Sequence, residues 1–322
     1  MVVCKLGKGQ AGSEGHPNRI HERSENSPMK RRTFIKAGVG ATLALPQNIL
    51  AKNAKRDPMR RIAMSTVTFR FRFKQTNPRG EGDLLLTQVP EYYRDRFKLK
   101  NVEFWSKHFE SRVPAYLDEL KAKLAKAKAK LINIQVDESY NLAAEDPDKR
   151  ASSITFCKDW LDTAAYLGAP SMRVNSGQGD KAACIQSLKE LNAHAKGKGL
   201  VLLVENHGGL SADPDQLLSL IDSVGDPNIK ILADYANWPS GTDMYAALKK
   251  VYPKTHLISA KTKEFNADHE HTSFDFDKCT RLAEESGFEG IYSAEQWSAE
   301  NNPADFERAS DWMIGRLRDT LA

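Results

Sequence analysis

Three carboxylates lie at matching places in the second half of the sequence. Glu205, Asp234 and Glu295 each follow a short, mainly apolar run, at the point where the chain becomes polar. Burying a carboxylate costs free energy unless it is paired or bound to a metal. If neighbouring strands bring these groups together, their repulsion indicates that a cation lies among them. Carboxylate oxygens suit Mn²⁺ or Mg²⁺, and an added imidazole also suits Co²⁺ or Zn²⁺.

Eight short β-rich segments would position these carboxylates. The predicted strands cover residues 61–69, 101–105, 131–136, 171–175, 201–206, 229–234, 256–261 and 290–295. Their first residues are 27 to 40 positions apart, a spacing typical of strand–helix–strand units. Helical periodicity predicts helices over 112–129, 216–224 and 303–320, the second of them capped by Asp213 and Pro214. Residues 70–98 are interpreted as a long loop with little regular structure.

Eight such units predict a single closed (β/α)₈ TIM barrel over residues 58–322. Barrels of this kind carry their functional residues at the carboxyl ends of the strands. The alternative is an open, doubly wound sheet. No GxGxxG turn follows the first predicted strand, which disfavours the nucleotide-binding form of that alternative.

The first fifty residues have the features of an export segment. Residues 1–28 are polar and predict a disordered extension. Within 29–51, basic residues precede a short apolar run and then small residues, the order found in secretory signals. The adjacent Arg31 and Arg32 resemble the twin-arginine motif, which predicts transport to the periplasm by the twin-arginine machinery. The apolar run is too short to span a bilayer, so no stable membrane anchor is expected. The alternative is a disordered basic tail.

The charge distribution disfavours a large nucleic-acid interface. Residues 1–51 hold eight of the 47 basic and three of the 42 acidic residues, so the rest of the chain carries 39 of each. A nucleic-acid binder needs surplus positive charge against phosphates, and this body has none. No CxxC pair occurs, so neither a zinc knuckle nor a disulfide framework is indicated.

Residues 60–322 resemble the xylose-isomerase-like TIM barrels, a family often described as sugar phosphate isomerases or epimerases. The resemblance rests on six motifs in order: VEFW at 102–105, MRVN at 172–175, VENHGG at 204–209, LADYAN at 232–237, AKTKEF at 260–265 and GFEGIYSAEQW at 287–297. It implies a barrel in which strands five to eight hold one divalent metal (Mn, Mg, Co or Zn). Glu205, Asp234 and Glu295 match three of the four ligands.

The fourth ligand position departs from the family pattern. Where the family carries a histidine in its seventh strand, this sequence has Ser259, which we assign to the metal set either directly or as an open position filled by water. His256 lies three residues earlier, on the opposite face by alternation. His207 shares the face of Glu205 beyond the strand end. We assign His207 to substrate binding, with direct metal ligation and a solvated loop position as the alternatives.

The resemblance also implies a reaction. Family enzymes remove a proton next to a substrate carbonyl with one metal-bound glutamate and return it with the other, through an enediolate. Glu205 and Glu295 match these two catalytic residues, and the metal would stabilise the developing oxyanion. Arg173, Asn175 and Lys261 are assigned to substrate binding. The alternative for Arg173 and Lys261 is a plain ion pair with a neighbouring carboxylate.

The expected partner is a small carbohydrate, and isomerisation or epimerisation of a ketose or aldose is the leading interpretation. One alternative is a lyase that uses the same metal and base on a 3-keto-glycoside, because an exported protein meets glycosides. Another is a non-catalytic sugar-binding relative that has lost its histidine ligand. The DNA-repair endonucleases of the family need more histidine ligands and a basic face. The sequence leaves open whether the protein forms a homo-oligomer.

Overall fold

The computed structural model describes residues 57–298 and 303–322, in which eight parallel strands form a closed barrel. The strands are β1 (Ile62–Ser65), β2 (Asn101–Trp105), β3 (Lys130–Gln135), β4 (Ser171–Val174), β5 (Val201–Glu205), β6 (Ile229–Asp234), β7 (Thr255–Thr262) and β8 (Ile291–Gln296). Each strand pairs with the next, and β8 pairs with β1, where Met64 lies opposite Ala294. The predicted (β/α)₈ barrel is confirmed, and the open-sheet alternative is excluded.

Eight α-helices of the described residues alternate with these strands. They are α1 (Val89–Phe97), α2 (Pro114–Ala127), α3 (Pro147–Leu167), α4 (Lys181–Gly197), α5 (Pro214–Val224), α6 (Met244–Val251), α7 (Phe276–Glu285) and α8 (Pro303–Leu321). Helices α3 to α7 all begin behind an aspartate whose side chain accepts hydrogen bonds from first-turn amides. The cap predicted at Asp213 and Pro214 is one of these. The caps fix where each strand-end loop stops and its helix begins.

The predicted segments 1–28 and 29–51 lie outside the described residues. Among the helices that are described, none combines the length and the apolar character needed to cross a membrane. The predicted helix over 303–320 corresponds closely to α8, and the one over 112–129 to α2.

The first strand is shorter than the predicted range 61–69. It ends at Ser65, and residues 66–72 form 3₁₀ turns with a break at Phe69. The Phe69 ring is buried and packs 5.8 Å from the ring of Tyr93 and 5.9 Å from that of Phe97. This packing draws the chain away from the sheet, an effect that the local apolar pattern does not reveal.

The prediction that residues 70–98 form a loop with little regular structure is wrong. This segment contains α1, which buries Val89, Tyr93 and Phe97 at four-residue spacing. Its polar face is rich in charge, with Glu91 and three arginines or aspartates between the apolar positions. A narrow apolar stripe in a charged segment is enough for a helix that packs on the barrel.

Arg70 connects the end of the first strand to the end of the last. Its guanidinium donates to the backbone oxygens of Gln296 over 3.0 Å and Ser298 over 2.5 Å. The side chain is buried, and this burial lowers the pKa of Arg70 to about 10. The contact therefore joins the two strands at which the barrel closes.

Alternation along the strands places the candidate residues inside the barrel. Leu203, Leu232 and Leu257 belong to a small apolar cluster in its interior. Two residues further along the same three strands come Glu205, Asp234 and Ser259, all buried. The interior therefore changes from apolar to polar toward the carboxyl ends.

Candidate active site

A cavity of about 510 Å³ opens at the carboxyl end of the barrel, a volume typical of small-molecule sites. Its lining comprises Val67, Trp105, Lys107, Gln135, Asp137, Glu138, Arg173, Asn175, Glu205, His207, Asn237, Lys261, Lys263, Glu295 and Trp297. Six of the predicted site residues are in this set. The other two, Asp234 and Ser259, are fully buried on adjacent strands and lie opposite each other in the β6–β7 register.

Glu205 is held by two side chains. Its Oε2 lies 2.8 Å from Nε of Arg173, and its Oε1 accepts a hydrogen bond from Nδ2 of Asn237 over 3.1 Å. The carboxyl group is 1% exposed. Burial, reinforced by the nearby Asp234 charge, raises the pKa of Glu205 well above its ordinary value despite the guanidinium.

Lys261 lies between two of the predicted acids. Its Nζ is 2.9 Å from Oε1 of Glu295 and 3.2 Å from Oδ2 of Asp234. It also donates to Oδ1 of Asn237 over 3.0 Å. Burial alone would lower the pKa of Lys261, but the two carboxylates outweigh it and raise that pKa, so the ammonium stays charged. Of the two roles that the sequence left open for Lys261, the ion pair is present.

Glu295 is held on both oxygens. Besides Lys261 on Oε1, Nε2 of Gln135 donates to Oε2 over 3.0 Å. Burial would raise the pKa of Glu295, but the ammonium and the amide outweigh it and leave that pKa lowered. Glu295 and Glu205 therefore have opposite pKa shifts.

Asp137 completes the site and was missed by the sequence analysis. It pairs with Arg173 and also accepts hydrogen bonds from Nε1 of Trp105 over 2.8 Å and Nδ2 of Asn175 over 2.7 Å. Burial would raise the pKa of Asp137, but the Arg173 guanidinium outweighs it and lowers that pKa. A signal was available, because Asp137 follows the predicted strand 131–136 as the other acids follow theirs.

Asn237 was also missed as a site residue. Its amide connects the two halves of the site, donating to Glu205 and accepting from Lys261. It lies three residues after Asp234, whose Oδ1 accepts from the backbone N–H of Asn237 over 3.0 Å. The motif LADYAN contains both residues, but their spacing alone does not show that the amide faces the cavity.

His207 lines the cavity, and among the described residues no hydrogen bond joins its imidazole to the side chains of the three predicted acid ligands. Its backbone N–H donates to the backbone oxygen of Glu205 over 2.9 Å, in the turn that follows β5. Desolvation and the Arg173 guanidinium lower the pKa of His207, which favours a neutral imidazole near pH 7. This position agrees with a substrate contact better than with direct metal ligation.

The divalent ion that the resemblance implies does not fit these residues. Across residues 57–298 and 303–322, no three carboxylate, imidazole or thiol groups converge as a metal site requires. The predicted acid ligands contact cations of the chain instead, with Arg173 on Glu205 and Lys261 on the other two. Ser259 contributes a neutral, buried hydroxyl. This oxygen, Oε2 of Glu205 and Oδ2 of Asp234 have no hydrogen-bond partner among the described residues, and the two carboxylate oxygens are satisfied by ion pairs alone. We therefore assign no chemical step to a metal.

Two tryptophans stand at the edge of the cavity. The rings of Trp105 and Trp297 are 6.4 Å apart and nearly perpendicular. Trp297 is 43% exposed, and the guanidinium of Arg70 lies 4.4 Å from its ring centroid. Aromatic faces next to polar groups form surfaces on which sugar rings can pack.

The comparisons with known proteins agree with this fold. A family model described as the xylose isomerase-like TIM barrel matches residues 97–315. The chain belongs to this family. A search of curated proteins finds no match.

Solved structures share the barrel at low sequence identity. L-ribulose 3-epimerase has a TM-score of 0.64 and 15% identity, covering 81% of this chain and 95% of its own. A xylose isomerase-like TIM barrel protein from Mycobacterium smegmatis in complex with magnesium has a TM-score of 0.59 and 17% identity, covering 81% and 97%. A probable 3-DHS dehydratase from Bacillus anthracis has a TM-score of 0.58 and 14% identity, covering 78% and 97%. At these identities the likeness shows the fold alone.

Proposed function

We propose that the protein is a carbohydrate isomerase or epimerase that moves a proton at a carbon next to a carbonyl group. The observation that carries this proposal is a pair of buried glutamates, Glu205 on β5 and Glu295 on β8, that line one cavity from separate strands. Acid–base catalysis needs such groups within reach of one substrate. The sugar epimerases that share this barrel support the choice of reaction.

The two glutamates have different environments and hence different roles. The lowered pKa of Glu295 keeps it ionised at neutral pH, so it serves as the base that removes the proton. The raised pKa of Glu205 keeps it protonated, so it serves as the acid that supplies one. Opposite shifts in one site commonly mark such a division of roles.

Two fixed cations face the negative charge that develops on the substrate. Proton removal next to a carbonyl leaves an enediolate, whose oxygen needs positive charge or hydrogen-bond donors. Lys261 and Arg173 both line the cavity and are both held in place by carboxylates. They supply this charge from fixed positions, and we assign His207 and Asn175, which also line the cavity, to binding hydroxyl groups.

A lyase acting on a 3-keto-glycoside is the second candidate. Its first step is the same proton removal, followed by loss of the glycosidic oxygen instead of return of the proton. The probable dehydratase with this fold supports the candidate, because loss of water is also an elimination. A non-catalytic sugar-binding protein is the remaining outcome of the test.

Proton exchange with solvent tests the proposal directly. The protein is incubated in D₂O with a panel of free ketoses and aldoses, and in parallel with a 3-keto-glycoside, and the products are followed by NMR. We expect deuterium at the carbon next to the carbonyl, together with a new epimer or isomer. Glu295→Gln and Glu205→Gln should each slow this exchange by about 10²–10⁴-fold.

A surface variant and the product pattern complete the experiment. Glu190→Gln alters an exposed glutamate on α4 outside the cavity and should leave the rate unchanged. Release of the aglycone without epimer formation would favour the lyase. Sugar binding without deuterium exchange in any substrate would contradict both enzyme assignments.

We also propose that the protein acts in the periplasm after twin-arginine export. The proposal rests on Arg31, Arg32 and the apolar run that follows them. Its partners there would be a small carbohydrate and, during transport, the twin-arginine machinery. The balanced charge of residues 52–322 argues against nucleic acid as a partner.

A further inference from the structure

Lys261 lies between two acids of the site, Asp234 and Glu295. Its Nζ contacts oxygens of Glu295 at 2.9 Å, Asn237 at 3.0 Å and Asp234 at 3.2 Å. We propose that this ammonium takes the place of the divalent cation implied by the family resemblance, and that the site works without a metal. The inference concerns the charge at the site, so it holds for isomerisation and for elimination alike.

Lys261 contacts three oxygens, by a hydrogen bond to Asn237 and by ion pairs with Glu295 and Asp234. An ammonium group has three donors and no acceptor, and three oxygens surround this one. The oxygens come from β6, from the loop that follows it, and from β8, so they approach from different directions. The side chain is 7% exposed. Lys261 is thus fixed by its surroundings, as a bound cation would be.

The other two acids of the site, Glu205 and Asp137, also lie beside a cation of the chain. Arg173 places Nε 2.8 Å from Glu205 and binds Asp137 with its two terminal nitrogens. Each of these two cations of the chain therefore contacts two of the four acids. A divalent ion on Asp234 or Glu295 would lie within a few ångströms of the ammonium, and like charges at such distances repel strongly in a buried site. Metal binding would require Lys261 to leave and both of its ion pairs to break.

The seventh strand carries two residues on which the proposal depends, Ser259 and Lys261. Ser259 lies opposite Asp234 in the β6–β7 register, where an imidazole would be a metal ligand. Its hydroxyl is neutral, and such a group is a poor replacement for that nitrogen donor. Two residues further along β7, on the same face, Lys261 reaches the same acids. The seventh strand therefore offers these acids a cation at Lys261 and no imidazole at Ser259.

The arrangement also indicates what kind of ligand Lys261 meets. Of the three residues that Lys261 contacts, Asn237 is the neutral one, and it also lines the cavity. A carbonyl or enediolate oxygen that displaces Oδ1 of Asn237 gains the third N–H of Lys261 and leaves both ion pairs intact. The same displacement brings that oxygen close to Glu205, which Asn237 also contacts. The ligand class is therefore a neutral or anionic oxygen compound with no metal bridge.

The unmodified protein provides the first test. Protein purified without chelator is analysed for metal by mass spectrometry, titrated calorimetrically with MnCl₂, CoCl₂ and ZnCl₂, and melted with EDTA or with each metal. We expect a metal content far below one ion per chain, no saturable binding at the site and one melting temperature under all conditions. One ion per chain that Asp234→Ala releases would overturn the proposal.

Variants at Lys261 provide the second test. Lys261→Met removes the charge at similar length, so the freed acids should now bind Mn²⁺ and the metal should raise the melting temperature. Adding Ser259→His to this variant should tighten binding by about tenfold more, since a nitrogen donor joins the acids. Lys263→Met removes a different ammonium of the same cavity. This variant should bind metal no better than the parent, and metal should not change its melting temperature.

The variants give a decisive result in either direction. A Lys261→Met protein that folds but binds metal no better than the parent would show that the ammonium is not what excludes the ion, and the proposal would fail. If that variant does not fold, the titration of the parent protein still decides. None of these measurements uses a sugar, so their result is separate from the test of the reaction.

Discussion

Arg173 binds Asp137 with two nitrogens and has its third within ion-pair distance of Glu205. The distances are 2.5 Å from Nη1 to Oδ1, 3.0 Å from Nη2 to Oδ2, and 2.8 Å from Nε to Oε2 of Glu205. Because the guanidinium is planar and rigid, fixing two of its nitrogens also fixes the direction of the third. Asp137 therefore positions the guanidinium that lies beside Glu205.

This relationship predicts the effect of removing the Asp137 charge. Asp137→Asn should lower the free energy of unfolding by about 3 kcal/mol, because a buried guanidinium loses a charge partner. Urea unfolding at pH 7 measures the loss. Asp95→Asn breaks an exposed pair with Arg94 and should change stability little. Similar losses in the two variants would contradict the positioning role of Asp137.

The burial of Glu103 predicts that the free energy of unfolding depends on pH. It is fully buried, accepting from Nδ2 of Asn133 over 2.7 Å and from Oγ of Ser293 over 2.5 Å, and burial raises its pKa to about 7. The folded chain thus holds a proton that the unfolded chain releases above about pH 4.3. This stabilisation is complete below that pH and is lost as the pH rises through 7.

Glu103→Gln removes this titration while its amide can still bond both neighbours. Relative to the variant, the parent should lose about 2 kcal/mol of stability between pH 5 and pH 8. Urea unfolding of both proteins at the two pH values gives the difference. Parallel pH profiles would mean that Glu103 is ionised in the folded protein throughout this range.

Trp297 should affect substrate binding more than stability. If a sugar ring packs on its exposed face, Trp297→Ala should raise KM by about tenfold, or about 1.4 kcal/mol, with a small change in kcat. The chosen substrate is the one that exchanges deuterium in the assay above. Tyr166→Ala removes an aromatic ring of similar exposure, 41%, outside the cavity lining, and should leave KM unchanged. A change in kcat alone would argue against stacking.

Replacing Arg31 and Arg32 with lysines tests the export proposal. The charge is kept but the arginine pair is lost, so the protein should remain in the cytoplasm in folded form. Cell fractionation followed by immunoblotting measures the distribution. Replacing Lys5 and Lys8 with arginines alters basic residues outside the motif and should not affect transport. Normal export of the lysine variant would contradict the twin-arginine assignment.

Much of the barrel was predictable because its spacing is regular. The predicted strands 101–105 and 229–234 have the bounds of β2 and β6. The start of the barrel was not predictable in the same way. There the Phe69 ring packs on α1, and a tertiary contact of this kind ends the strand before the apolar pattern does.

The same limit applies to the site, where residues on strands were easier to predict than residues in loops. Strand-end acids such as Glu205 could be found from sequence, because alternation fixes the face on which a strand residue lies. Asp137 and Asn237 lie just beyond strand ends, where loop conformation decides the direction of the side chain. The position of the Lys261 ammonium depends on the rotamers of a long side chain and on the acids around it. Local sequence therefore left both of its roles open.

The long-range contacts of Arg70 affect when the chain can complete its fold during synthesis. Two of its acceptor carbonyls lie 226 and 228 residues further along the sequence, and the strand that pairs with the free side of β1 lies there too. A ribosome adds these partners 226 and 228 residues after Arg70, so over that interval a growing chain carries an unpaired strand edge and an only partly satisfied arginine. Pairings over such separations form slowly, and open edges invite association with other chains. Premature termination before β8 would therefore yield an aggregation-prone fragment instead of a smaller folded protein.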